Sequence, residues 1–272
     1  MKRLHFRNMN LIGKKCIVQS YKECATDFRL GKHTFRMPIV PANLSTSSAI
    51  HHAMRNCLYI LPRAEKDIVS LALSTKEVNQ QFFGTMPMSI SVGTGEDDRK
   101  LLSRLYELKL MPEYVTIDTE YGHSVQMEDM LRWIRRSFPK KPPHILAGSV
   151  VTGDAARDLE SWGANTIKVG IGSESSSEYS MCGYGRDDAH VSVLRECSIA
   201  LQRPETTILA HGGICEPGDV PKALALGADC VMVDGLNNPQ DMEYFQTYLQ
   251  KSIAYAGGTD LSCFEEAEWI LS

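Results

Sequence analysis

The chain lacks any long hydrophobic run. Of its 272 residues, 43% are hydrophobic and 23% are charged, and no apolar stretch approaches the roughly 20 residues that cross a bilayer. The start, MKRLHFRNMN, is basic, but the apolar stretch and small-residue cleavage site of a secretory signal do not follow it. The sequence therefore predicts neither a membrane protein nor a secreted one, and a cytoplasmic location is expected.

Basic blocks and paired cysteines are absent too. The net charge is −4 and the isoelectric point is near 6.1, which argues against nucleic acid as a partner. The eight cysteines are scattered, with no C-x-x-C and no cysteine–histidine cluster at zinc spacing, so no metal site is expected. Because disulfides persist mainly in oxidising compartments, most of these thiols should be reduced.

Short apolar runs are what the chain has instead. Continuous apolar runs are typical of strands covered on both faces, and parallel strands need helices between them. The eight runs are 37–40, 58–61, 89–92, 114–118, 144–147, 166–169, 207–210 and 230–233. Segments with apolar residues at helical spacing are 47–56, 97–109, 125–138, 154–162, 191–201 and 219–226.

This alternation predicts the fold class. A chain of 272 residues is long enough for one large core, and eight strands with about as many helices favour an α/β fold, a (β/α)8 TIM barrel over residues 1–272 as a single domain. A doubly wound open sheet is the alternative.

In such a barrel, the residues just after each strand form the candidate site. Glycines are concentrated after the fifth to eighth runs, where backbone N–H groups can approach a phosphate closely; tight strand–helix turns are the alternative explanation. We expect these residues around one mouth: Asn43, Asp118, His123, Gly148, Gly170, His211 and Gly235.

Longer stretches of the sequence resemble a known family. VVTGDAARDLESWGANTIKVGIG, from Val150, and AHGGICEPGDVPKALALGADCVMVDG, from Ala210, resemble the IMP dehydrogenase and GMP reductase family. KCIVQSYKECATDFRLGKHTFRMPIVPANLST, YVTIDTEYGHS and SIAYAGGTDL are similar to the GMP reductase branch of Gram-positive bacteria. The resemblance runs from about Leu11 to about Leu261, and it too implies a (β/α)8 barrel, without the regulatory domain pair of many dehydrogenases.

The resemblance implies a reaction and a set of ligands. In a typical member, a cysteine after the sixth strand attacks the purine C2, ammonia leaves, and NADPH delivers hydride, so that GMP becomes IMP. It also implies a homo-tetramer. A purine-type ligand would contact the glycine-rich loops and the D-G-G motif, at Gly148, Gly170, Gly172, Gly212, Gly213 and Gly235. The cofactor side would be Asp118, Gly122, His123 and Ser124.

At several of the family's functional positions this chain departs from the pattern. Aligned with the family loop G-I-G-P-G-x-x-C-x-T, this chain has Glu174 in place of the third glycine, Ser177 in place of the nucleophilic cysteine and Tyr179 in place of the threonine. His211 stands for the D-G-G aspartate, and Asp234 for a phosphate-binding glycine. The flap that follows the eighth strand in typical members, with its catalytic glutamate, is missing. Because Glu174 and Asp234 would repel a phosphate dianion, GMP should bind poorly.

Several of the remaining residues allow two interpretations. Cys182 is a displaced nucleophile or an ordinary loop cysteine, and residues 175–177 are a flexible loop or carry a new nucleophile at Ser177. His211 is a base, a phosphate ligand or a packing residue, and Asp118 contacts NADPH or is structural. Asn43 and Ser45 approach the substrate base, or Asn43 caps a helix.

Together these observations give two functional hypotheses. The first is a GMP reductase-like oxidoreductase of purine nucleotide metabolism, using NADPH, with altered substrate or chemistry because the catalytic cysteine and the flap are missing. The second is a catalytically inactive paralogue that binds a purine-type ligand or assembles with an active family member. The Asp118 to Ser124 stretch favours the first, whereas Glu174, Ser177, Asp234 and the missing flap favour the second.

Overall fold

The structure is a computed structural model that describes residues 4–42, 56–61, 63, 68–69, 72, 89–171, 182, 190–236 and 239–271. In these ranges the strands are β1 (Met9–Leu11), β2 (Phe28–Leu30), β3 (His33–Phe35), β4 (Ile39–Pro41), β5 (Ile60–Leu61), β6 (Ser89–Val92), β7 (Tyr114–Asp118), β8 (His144–Val150), β9 (Thr166–Val169), β10 (Thr207–His211), β11 (Cys230–Val233) and β12 (Trp269–Leu271). The helices are α1 (Glu96–Glu107), α2 (Val125–Ser137), α3 (Gly153–Trp162), α4 (His190–Ala200), α5 (Asp219–Ala225) and α6 (Pro239–Tyr255).

Eight parallel strands form one sheet. Its order is β4-β11-β10-β9-β8-β7-β6-β5, so each strand from β6 to β11 lies between two others, and β4 pairs with β11 across the start and end of the series. The sheet is nearly closed as a barrel, with helices between the strands. The predicted (β/α)8 fold is confirmed.

The predicted boundaries agree closely with the structure. Runs 89–92, 114–118, 166–169 and 230–233 coincide with β6, β7, β9 and β11. β8 continues three residues past run 144–147, to Val150. Helix α3 ends where Gly163 adopts a left-handed conformation (φ 112°), as expected for a glycine just past a helix. The predicted helix 47–56 lies outside the described residues except for Asn56.

The barrel strands separate two groups of buried side chains. On β9, Ile167 and Val169 belong to the large cluster that includes the helices. The intervening Lys168 is in register with Leu209, which belongs to the smaller cluster inside the barrel. Because side chains alternate along a strand, Lys168 points into the barrel.

Two small antiparallel pairings complete the fold. The β2–β3 hairpin covers the end of the barrel where the strands begin, because Phe28, Leu30 and Phe35 join the inner cluster and the Tyr114 hydroxyl donates to the Leu30 carbonyl at 2.7 Å. β1 pairs with β12 near the two ends of the chain. No described helix is long and apolar enough to cross a membrane.

Candidate functional site

An ion pair lies where the central barrel strands end. Asp118 is the last residue of β7, and its Oδ1 is 2.7 Å from Nζ of Lys168 on β9. The Lys168 side chain is only 5% exposed, whereas that of Asp118 is 41% exposed. The carboxylate is therefore the member of the pair that a ligand in the mouth can reach.

Gly148 makes this pairing possible. It lies on β8 between the two residues and is in register with both Asp118 and Lys168. A Cβ at Gly148 would collide with the carbonyl oxygen and the Cβ of Lys168. Only glycine lets the backbone and Cβ of Lys168 come this close to β8.

His211 supplies an uncharged polar group beside this pair. It is the last residue of β10, and its Nδ1 is buried with no hydrogen-bond partner in the described part of the chain. Burial, with the nearby charges of Lys168 and His190, lowers the pKa of His211 to about 3. The imidazole is therefore neutral at physiological pH. It can donate or accept one hydrogen bond with a ligand, but it cannot act as a cationic phosphate ligand.

The backbone near His211 is held tightly. A Cβ at Gly170 (φ 100°) would collide with the His211 carbonyl oxygen, and one at Gly212 (φ 87°) with the carbonyl oxygen of Ile171. Gly213 packs against the His190 ring at the start of α4. Glycine is thus required for close packing around the mouth, whether or not these residues also contact a ligand.

The chain matches known proteins over most of its length. The model of the IMP dehydrogenase / GMP reductase domain matches residues 6–259. A GMP reductase of Mesoplasma florum is 37% identical over 236 residues, which cover 85% of this chain and 71% of that protein. A GMP reductase of Bacillus subtilis is 36% identical over 236 residues (85% and 69%), and one of Helicobacter pylori is 35% identical over 260 residues (94% and 77%).

The chain belongs to the IMP dehydrogenase / GMP reductase family. The resemblance to GMP reductases of Gram-positive bacteria is confirmed, since Bacillus subtilis is among the sources of these relatives.

Within this family barrel, the four predicted cofactor residues differ in their surroundings. Asp118 lies in the mouth, and the backbone N–H of Gly122 donates to the Ser149 carbonyl at 2.8 Å. The His123 ring faces the outer layer, where its Nε2 is 2.8 Å from Asp158 Oδ2 on α3. The Ser124 hydroxyl accepts from the Met127 N–H and caps α2. The structure thus gives His123 and Ser124 structural partners, and a cofactor contact at either stays a prediction.

The remaining predicted residues are distributed unevenly. Asp234 is exposed just past β11, and next to it Gly235 has a φ of 79°; a Cβ added there would meet no atom of the described residues within 4 Å. Cys182 is exposed and its thiol is free. The other predicted positions lie outside the described residues: Asn43, Ser45, Gly172, Glu174, Ser177 and Tyr179. The described residues contain no group of three or more metal-ligating side chains.

Lys168 is the residue of this mouth that sequence reasoning missed. It sits in the third position of the apolar run TIKV, and the run as a whole reads as a buried strand. A charge in a continuous apolar run is the available signal, because a buried lysine needs a partner. The partner, Asp118, is 50 residues away in sequence, which local pattern does not reveal.

Proposed function

We propose that the chain is a GMP reductase-like oxidoreductase that binds NADPH and a purine-type ligand, with an altered substrate. The observation that carries this proposal is the half-exposed Asp118 carboxylate at the mouth of a family barrel, near His211, whose Nδ1 has no hydrogen-bond partner among the described residues. The carboxylate suits a ligand that offers uncharged hydrogen-bond donors, such as the carboxamide and ribose hydroxyls of NADPH, and the neutral imidazole can accept or donate one hydrogen bond. When bound, NADPH would supply the hydride.

Charge favours a purine ligand without a phosphate group. Asp234 is exposed near the mouth, the Asp118–Lys168 pair adds no net positive charge, and His211 is uncharged. Glu174 adds another carboxylate to the loop that typical members use for phosphate. Acidic groups near a phosphate dianion oppose its binding, so a nucleoside or base fits this charge pattern better than GMP.

The nucleophile is the main chemical difference. Ser177 stands where the family reaction uses a cysteine, and a serine hydroxyl needs a neighbouring base because it does not ionise near neutral pH. The exposed thiol of Cys182 is the alternative nucleophile. These departures, with the missing flap, support a second candidate function: an inactive paralogue that binds a purine-type ligand or assembles with an active member. As part of the proposal we keep a homo-oligomer.

A direct assay tests the chemistry. We expect NADPH oxidation in the presence of GMP to be about 10³-fold or more slower than that of the Bacillus subtilis relative, because a nucleophile and an acid–base group are each worth orders of magnitude in rate. The measurement is the loss of NADPH absorbance, with Cys182→Ala and Ser177→Ala assayed alongside.

The variants separate the possible results. Fast turnover that Cys182→Ala abolishes would assign the nucleophile to Cys182. Fast turnover that survives both substitutions would contradict the proposal of altered chemistry. A thermal-shift screen with NADPH, guanosine and GMP covers binding, and a protein that none of the three stabilises would contradict the proposed ligands.

A further inference from the structure

Lys168 is buried at a cost that the fold does not require. Its side chain is 5% exposed, and the only group paired with its ammonium among the described residues is the Asp118 carboxylate. Removing an ammonium from water costs several kcal/mol in a protein, and a buried ion pair seldom stabilises more than apolar residues of similar size would. Folding alone therefore does not explain a lysine at the centre of an apolar strand.

The two side chains of the pair differ in exposure, and the more exposed one, Asp118, faces the mouth. The ammonium lies beneath, inside the barrel, while 41% of the Asp118 side chain remains accessible. Gly148, in register with both residues, has no Cβ and lets the backbone of Lys168 pack closely against β8. One carboxylate oxygen, Oδ1, is held by Lys168 at 2.7 Å, so the carboxylate is fixed in orientation while its remaining acceptor capacity stays available.

We propose that Lys168 is a positioning residue: its ammonium orients Asp118 to accept hydrogen bonds from uncharged donors of the ligand, and the same ammonium lies near His211. The inference rests on the proposed binding of NADPH, whose hydroxyl and carboxamide groups are donors of this class. Lys168 acts through Asp118 rather than by touching the ligand. It therefore holds the Asp118 carboxylate in position to accept hydrogen bonds from a ligand in the mouth.

The pKa of His211 depends on the charge of Lys168 and can be measured without any ligand. Among the described residues, the charged groups that influence it are Lys168 on β9 and His190 at the start of α4, and burial is the larger cause of its low pKa. Removing the Lys168 charge leaves burial and His190 in place. The pKa of His211 should then rise, although not fully to its ordinary value.

A double-mutant cycle tests the positioning role. We expect Lys168→Met and Asp118→Asn each to weaken NADPH binding about tenfold to a hundredfold, the usual effect of losing a hydrogen bond to a charged group. The double variant should bind no more weakly than Asp118→Asn alone, since Lys168 has no role once the carboxylate is gone. Affinity is measured by titration of NADPH fluorescence.

Lys222→Met is the matched control. Lys222 also uses its ammonium for one internal hydrogen bond, to the Phe6 carbonyl at 2.9 Å, but it lies on α5 and its contact is with the N-terminal segment. It should lose stability without losing NADPH affinity. Additive effects in the cycle, or a Lys168→Met variant that binds NADPH like Lys222→Met, would overturn the positioning role.

A second readout separates this inference from the proposed function. NMR of isotope-labelled histidine should show His211 titrating at a higher pH in Lys168→Met than in the wild type, and unchanged in Lys222→Met. If the wild type binds no NADPH, the proposed function fails, and an unshifted His211 then overturns the inference as well. Should Lys168→Met not fold, Lys168→Arg serves: it keeps His211 neutral but displaces the carboxylate, so NADPH affinity alone should fall.

Discussion

Two histidines inside the barrel are neutral for the same physical reason. His144, the first residue of β8, places its Nε2 2.7 Å from Thr166 Oγ1, and burial together with Arg135 lowers its pKa to about 4. His211 at the other end of the barrel has a pKa of about 3, again mainly through burial. At the scale of single residues, desolvation is what sets the charge of both groups.

These histidines predict an acid-sensitive fold. An unfolded histidine binds its proton near pH 6.5, whereas native His144 binds it only near pH 4. Between these values the unfolded state takes up more protons, so the free energy of unfolding should fall as the pH drops from about 6.5 to about 4. Urea unfolding across this range should show the slope, and His144→Asn should reduce it. If His144→Asn kept the wild-type slope, the pH dependence would not come from His144, which would contradict this prediction.

At the scale of elements, Glu160 joins two neighbouring helices. It lies near the end of α3, its side chain is buried, and its carboxylate accepts N–H groups of Gln202 and Arg203 at 3.0 Å, just after α4 ends. These two N–H groups come just after α4, the helix that packs against α3. A buried acid that accepts several backbone hydrogen bonds holds the two helix ends together.

We predict that Glu160→Ala lowers the free energy of unfolding by about 1–3 kcal/mol, because the charged hydrogen bonds to the Gln202 and Arg203 N–H groups are lost. Glu160→Gln should cost less, since the amide oxygen can still accept. The control is Asp154→Ala on the same helix, an 82% exposed carboxylate paired with Arg157, which should cost about 0.5 kcal/mol or less. Equal losses in Glu160→Ala and Asp154→Ala, measured by urea unfolding, would contradict this role.

The local sequence pattern predicts where the barrel strands and helices begin and end, but it does not predict which distant segments pair. Run 114–118 is β7 to the residue, because an apolar run bounded by polar segments specifies a buried strand. The three-residue strands β1 and β12 pair Met9 with Leu271, and so short a strand has no readable period. The β2–β3 hairpin was likewise missed, although Gly31 between its strands has the positive φ of a turn.

At the scale of the whole molecule, the mouth is assembled from residues far apart in sequence. Asp118 was predicted, because it follows an apolar run, and Lys168 was not, because it lies within one. The neutral state of His211 depends on its burial and its neighbours in three dimensions. Residue position relative to a strand can thus be predicted from sequence, while charge state and pairing require the assembled barrel.

The central claim is that this family barrel takes a purine ligand without a phosphate group, and calorimetric titration of the wild type with guanosine and with GMP tests it most directly. We predict that guanosine binds at least about tenfold more tightly, and that changing both Glu174 and Asp234 to glycine raises the affinity for GMP by relieving charge repulsion. Tight binding of GMP by the wild type, or no binding of either compound before and after the substitutions, would contradict the claim.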